Sequence, residues 1–229
     1  RIDRSKILQQ YGGVAPYICQ KVMERMLPGL KQFSPGDRVE GMLLTLTVIS
    51  SINEHVYKSC MTQNAIEVGQ LNPFDFLNFV KDMQNVNDIV YTTVMSFATK
   101  SNSIKEEDIV WDVFLETMLG VGSKVCVEVM GLFEATTEMN LEDLMDLIEA
   151  MQSVNINVCR TLFRLARRCG RDLNLKLVLR LLTKSQSVNL KVFQGTLLLS
   201  KGNFDTDTFS FNQLVQLVGA AQRVGLGVF

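Results

Sequence analysis

Histidine and tryptophan each occur once in the 229 residues, and proline only four times. No apolar run is long enough to cross a bilayer, because Lys, Arg, Asp or Glu keeps interrupting. One histidine cannot build a His-rich metal site. His55 falls in the first turn of an expected helix, at a slot that Ile89, Lys124, Asn157 and Lys191 fill in related segments, so it reads as a surface residue rather than a base. The five cysteines (Cys19, Cys60, Cys126, Cys159 and Cys169) are scattered and odd in number, and no Cys-x-x-Cys pair occurs. That pattern excludes a secreted disulfide framework and predicts reduced, buried thiols in an intracellular compartment. No GxGxxG, GxxxxGK[ST], HExxH or EF-hand spacing is present, and Gly12-Gly13 reads as loop. The expectation is a protein with no catalytic residues, no cofactor, no metal and no small-molecule substrate.

What the chain does have is a period. A β-branched residue followed by Asn or Gly, with a second Val three residues on, occurs at Ile52-Asn53, Val86-Asn87, Val121-Gly122, Val154-Asn155, Val188-Asn189 and Val224-Gly225. Val14-Ala15 is a weaker first copy. From Asn53 the steps are 34, 35, 33, 34 and 36 residues, with 38 before it. Such a spacing marks a helical-hairpin repeat. Upstream of the slot, Phe76, Phe79, Val80 and Met83 in one copy, and Leu144, Leu147, Ile148 and Met151 in another, follow i, i+3, i+4, i+7. Downstream, Val158-Cys159 with Leu162-Phe163 repeats the pairs Val125-Cys126 and Val129-Met130, giving a second amphipathic helix. Methionines and aromatics recur at these buried slots, Trp111 among them, so core packing accounts for them.

Asn and Gly both tolerate the left-handed conformation that closes a helix, so the slot reads as the end of the first helix. Helix starts are expected at Ser34-Pro35 and Asn72-Pro73, at Asn140 and Asn174, and at Ser103 with Glu106 as a capping box. The reading is an all-α chain forming one α-solenoid of about six and a half hairpins over residues 1–229. Its units are approximately 4–34, 35–71, 72–103, 104–139, 140–173 and 174–207, with a half unit at 208–229. Stacked units share one core that none could build alone. An Arg at position 1 and an ending inside an expected helix suggest a processed chain or a piece of a longer array.

Charge is unevenly spread although the net value is −1. Residues 106–149 hold twelve Asp/Glu against one Lys, and residues 160–191 hold nine Lys/Arg against one Asp. Arg160, Arg164, Arg167, Arg168 and Arg171 follow helical spacing opposite the apolar stripe. Lys176, Arg180 and Lys184 do the same on the next helix. Guanidinium forks match phosphate oxygens, so these eight are the candidate RNA-binding residues. A solvated face paired with the acidic units is the competing explanation. The acidic residues Glu138, Glu142, Asp143, Asp146 and Glu149 are the alternative site, for docking a basic protein partner.

The segments FSFNQLVQLVGAAQRVGLGVF (209–229) and LEDLMDLIEAMQSVNINVCRTLFRLARR (141–168) resemble the helical-hairpin repeats of organellar RNA-binding proteins. These are the octotricopeptide and heptatricopeptide arrays and the FAST-kinase-like repeats. The resemblance implies a mitochondrial protein, with a cytoplasmic one as the alternative, that binds RNA or joins other proteins in a ribonucleoprotein complex such as a ribosome or an RNA-processing assembly. The alternative function is a protein-interaction scaffold that touches no nucleic acid. Neither reading involves a membrane.

Overall fold

The computed structural model describes residues 12–133, 138–200, 209–225 and 227. Among them are thirteen α-helices, one short 3-10 turn and no strand, so the chain is all-α. It divides into two compact units, residues 1–92 with 110–119, and residues 93–109 with 120–229.

The first unit contains α1 (Pro16–Leu30), α2 (Pro35–Ile49), α3 (Glu54–Gln63), α4 (Ala65–Gln70) and α5 (Pro73–Lys81). Helix α1 packs on α2, α3 and α5, and α2 packs on α5. Ile18, Val22, Met26, Ile49, Val56, Cys60, Phe76 and Val80 fill the space between them. Arg25 is a half-buried tie in this unit. Its guanidinium donates to the Val68 carbonyl and, at 3.1 Å, to the Leu71 carbonyl, and lies 4.2 Å from the Phe76 ring centroid. The Val68 carbonyl also accepts the Leu71 N–H at 3.3 Å, so Arg25 reinforces the turn at the C-terminal end of α4 and supplies a donor to the Leu71 carbonyl.

Helix α6 (Asp88–Lys100) follows, and α7 (Trp111–Thr117) belongs to the first unit. The second contains α8 (Ser123–Gly131), α9 (Leu141–Met151), α10 (Ile156–Arg168), α11 (Leu175–Ser185), α12 (Leu190–Ser200) and α13 (Phe211–Arg223). Within it the helices form two rows. Helices α8, α10 and α12 pack side by side, as do α9, α11 and α13, and α10 also touches α11 and α13. Leu144, Leu147, Val158, Leu162, Val178, Leu181, Val192, Leu214 and Val218 make the core between the rows. Every one of these lies on an apolar stripe of helical period, which is why the stripe predicts the packing face.

The caps confirm most of the expected starts, correct one of them, and correct one expected helix end. Ser34, Asn72, Asn140 and Asn174 are N-caps whose side chains accept backbone N–H groups. Ser103 with Glu106 is not a capping box. Glu106 opens a 3-10 turn, Glu106–Asp108, whose preceding residue Lys105 offers no side-chain cap. The extended Ile109 and Val110 then delay the helix until Trp111.

The repeated Asn is the second correction. Asn155 has φ −74° and ψ 127°, extended rather than left-handed, and it caps the start of α10. Its Oδ1 accepts the N–H of Asn157 at 2.9 Å and of Val158 at 3.4 Å. Asn53, Asn87 and Asn189 make the same pair of bonds. The left-handed residue sits two positions earlier: Ser51, Asn85, Gly120, Ser153 and Ser187 have φ between 57° and 75°. Division of labour explains the slot's composition. The first residue closes one helix, and the Asn supplies an acceptor that the next helix needs.

Three of these turns are also stitched to an earlier one within the same unit. In the first unit the Asn85 N–H donates to the Ser51 carbonyl at 3.1 Å, and Gln84 Nε2 reaches the Thr47 and Ser50 carbonyls at 2.9 and 3.1 Å. In the second, the Ser153 N–H donates to the Gly120 carbonyl at 3.4 Å and the Ser187 N–H to the Ser153 carbonyl at 3.1 Å. Gln186 Nε2 donates to the Glu149 and Ala150 carbonyls, and Gln222 Nε2 to the Gln186 carbonyl. A ladder of left-handed turns with glutamine rungs thus sets the stacking register.

Candidate functional site

The residues that could do chemistry are arranged for packing. Cys19, Cys60, Cys126 and Cys159 are buried and Cys169 is half-buried. Burial pushes the Cys60 thiol up to about 11 and those of Cys126 and Cys159 to about 12. A thiol so shifted is neutral at physiological pH and a poor nucleophile or metal ligand. The Tyr91 hydroxyl lies within hydrogen-bonding distance of Cys60 Sγ at 3.4 Å, Ser59 Oγ at 3.2 Å and Gln63 Oε1 at 2.9 Å, tying α6 to α3. Among the described residues, no group of three His, Cys, Asp or Glu side chains could hold a metal. His55 is exposed on the first turn of α3.

The charged side chains build the surface of interest, all within the second unit. On α10 the buried stripe is Val158, Cys159, Leu162, Phe163, Leu165 and Ala166. A helix with that stripe must turn positions 160, 164, 167 and 168 outward, and Arg160, Arg164, Arg167 and Arg168 are all exposed, with Arg171 just beyond the C-terminal end. Arg160 differs from the others. Its Nε donates to Glu128 Oε2 on α8 at 2.6 Å, so it is held by the acidic segment. Arg164, Arg167, Arg168 and Arg171 form no ion pair with any described carboxylate. Arg167 and Arg168 also occupy the last turn of α10, where a positive charge meets the negative end of the helix dipole.

On α11 the buried stripe is Val178, Leu181, Leu182 and Ser185, and Lys176, Arg180 and Lys184 are exposed opposite it. Arg180 is partly engaged, its guanidinium 5.5 Å from the Phe211 ring centroid and donating to Asn212 Oδ1 at 3.4 Å. The two cationic ridges do not combine into one patch. Helix α10 packs in one row and α11 in the other, and each turns its charges away from the core between the rows, so the ridges project from opposite sides. Sequence spacing along each helix could not reveal this, because it fixes a face relative to its own helix only.

The acidic set is on α9. Glu142, Asp146 and Glu149 share its exposed face, Glu138 is exposed just before it, and Asp143 is half-buried. Because α9 and α11 are neighbours in one row, this acidic ridge runs beside Lys176, Arg180 and Lys184. None of the acidic and basic side chains of these two ridges approaches within ion-pair distance of the other set.

Sequence reasoning missed the glutamines of the ladder and Arg25. The glutamines were legible, since Gln84, Gln152, Gln186 and Gln222 all stand three residues before the Asn/Gly slot. No local pattern marks Arg25, whose acceptors lie more than forty residues away.

Compared with protein-family models, with curated proteins and with solved structures, the chain finds no match in any of the three.

Proposed function

We propose that the chain is a non-catalytic α-solenoid of helical hairpins that binds RNA through Arg164, Arg167, Arg168 and Arg171. One observation carries the reading. These guanidiniums share one helix face and its end, are exposed, and have no described carboxylate partner. Such a ridge presents forked donors that match phosphate oxygens. The setting, a mitochondrial ribonucleoprotein complex, follows from the resemblance of its repeats to those of organellar RNA-binding proteins.

The test is binding of the purified chain to a mixed single-stranded RNA over a range of salt. With about four phosphates contacted, log K should fall against log salt with a slope of about −2.8. Replacing Arg164, Arg167 and Arg168 together with Gln should remove about 2 from that slope and weaken all sequences alike. Unchanged affinity in that variant would sink the ridge.

A second reading has its own observation. The Glu142, Asp146 and Glu149 row is exposed and unpaired, and would suit a basic protein segment in a scaffold that touches no nucleic acid. An arginine-rich peptide that binds the chain and is released by Glu142→Gln, Asp146→Asn and Glu149→Gln together would favour it over RNA.

A further inference from the structure

Resting on the RNA reading, we infer that the strand lies along α10, across the repeat array, and that its footprint is only a few nucleotides. The ridge is one helix wide. From Arg164 to Arg168, where α10 ends, the backbone advances about 6 Å at 1.5 Å per residue, and Arg171 follows past the left-handed Gly170. Four guanidiniums on so short a run can contact about four phosphates and no more.

The neighbours on either side give the strand nothing to continue on. One repeat earlier, 33 residues before, the slots of Arg160 and Arg164 are Val127 and Gly131, and one repeat later, 34 residues on, they are Gln194 and Leu198; all four are exposed and none is charged. At the N-terminal end of the ridge, Glu128 holds Arg160 and adds a carboxylate at the row's edge. A polyanion running from α8 over α10 to α12 would therefore meet the Glu128 carboxylate and uncharged positions on either side of Arg164, whereas one running along α10 meets four guanidiniums in succession. The chemistry this selects is a short run of phosphodiesters, read without base identity, because no exposed aromatic platform accompanies the arginines among the described residues of α8, α10 and α12.

The experiment measures affinity by fluorescence anisotropy for labelled oligouridylates of 6, 8, 16 and 24 nucleotides at several salt concentrations. The salt slope should be the same, about −2.8, at every length, with longer RNAs gaining only the statistical factor of more registers. The Arg164→Gln/Arg167→Gln/Arg168→Gln variant should flatten the slope equally at every length, and circular dichroism should show its helices intact. A slope that steepens steadily from 6 to 24 nucleotides means the strand follows the array; it overturns the transverse footprint and leaves RNA binding standing. No binding of any length at low salt removes the RNA reading and this inference with it.

Discussion

Moving one side chain by two positions separates the two jobs done at each turn. Asn155→Ala deletes the Oδ1 that accepts the Asn157 and Val158 N–H groups, and Val158 is wholly buried. Loss of an Asn N-cap costs about 1 kcal/mol, within about 0.5–2, while Gly in the same place costs only a few tenths. Ser153 has φ 57°, where its own Cβ is already strained, so Ser153→Gly should stabilise by about 1 kcal/mol and Ser153→Ala should change stability little. The expected order of stability is Ser153→Gly above wild type, Ser153→Ala near it, Asn155→Gly slightly below, and Asn155→Ala lowest. Urea unfolding followed by circular dichroism measures it, with the slope of each transition checked for constancy. If Asn155→Gly stabilised the chain while Ser153→Gly destabilised it, the left-handed residue would be Asn155 and the cap assignment would be wrong.

Three further outcomes are expected. Arg25→Met keeps the apolar stem but removes the donors to the Val68 and Leu71 carbonyls and the cation over Phe76, so thermal stability should fall by about 2 kcal/mol; a shift below about 0.5 kcal/mol would make the tie superficial. Cys60, Cys126 and Cys159 ionise in the native state only near 11 to 12, against an ordinary 9.0. Because their native pKa values are raised, their stabilisation is complete below about pH 9 and is lost as pH climbs through 11 to 12. Urea midpoints between pH 8 and pH 11 should decline, less so in Cys126→Ala/Cys159→Ala, and a thiol reagent at pH 8 should label half-buried Cys169 first. Glu128→Gln should release Arg160 to phosphate and steepen the RNA salt slope by up to about 0.7, whereas no change would place Arg160 beyond reach of the strand.

The sequence showed much of this fold because its signals are local. Stripes such as Leu144, Leu147, Ile148 and Met151 announce a buried helical face, and all four are buried. The caps at Ser34, Asn72, Asn140 and Asn174 precede their helices directly, so chain order alone locates them. The slot Asn was misplaced because Asn suits both a helix end and a helix start, and only φ separates the two. At Ser103 the capping signature was present, but Ile109 and Val110 stayed extended, and both lie beyond the four residues that a capping box spans. The candidate site was half legible. Exposure of the arginines followed from periodicity, whereas the Arg160–Glu128 pair and the opposed ridges depend on which helices become neighbours.

The ladder of turns has a consequence for how such a chain can grow. Its glutamine rungs join residues 34 to 37 apart in sequence, at whichever turn they occur. The entropy of closing each loop depends on that separation alone, so every rung after the first meets the same cost, whatever the total length. These rungs are therefore equally local contacts in each unit, of the kind that lowers contact order. Insertions obey the same geometry. A few extra residues in the connection 169–174 lengthen one loop and cost about a few tenths of a kcal/mol, but a single residue added between Gln186 and Asn189 throws the rung, the left-handed turn and the cap out of step together.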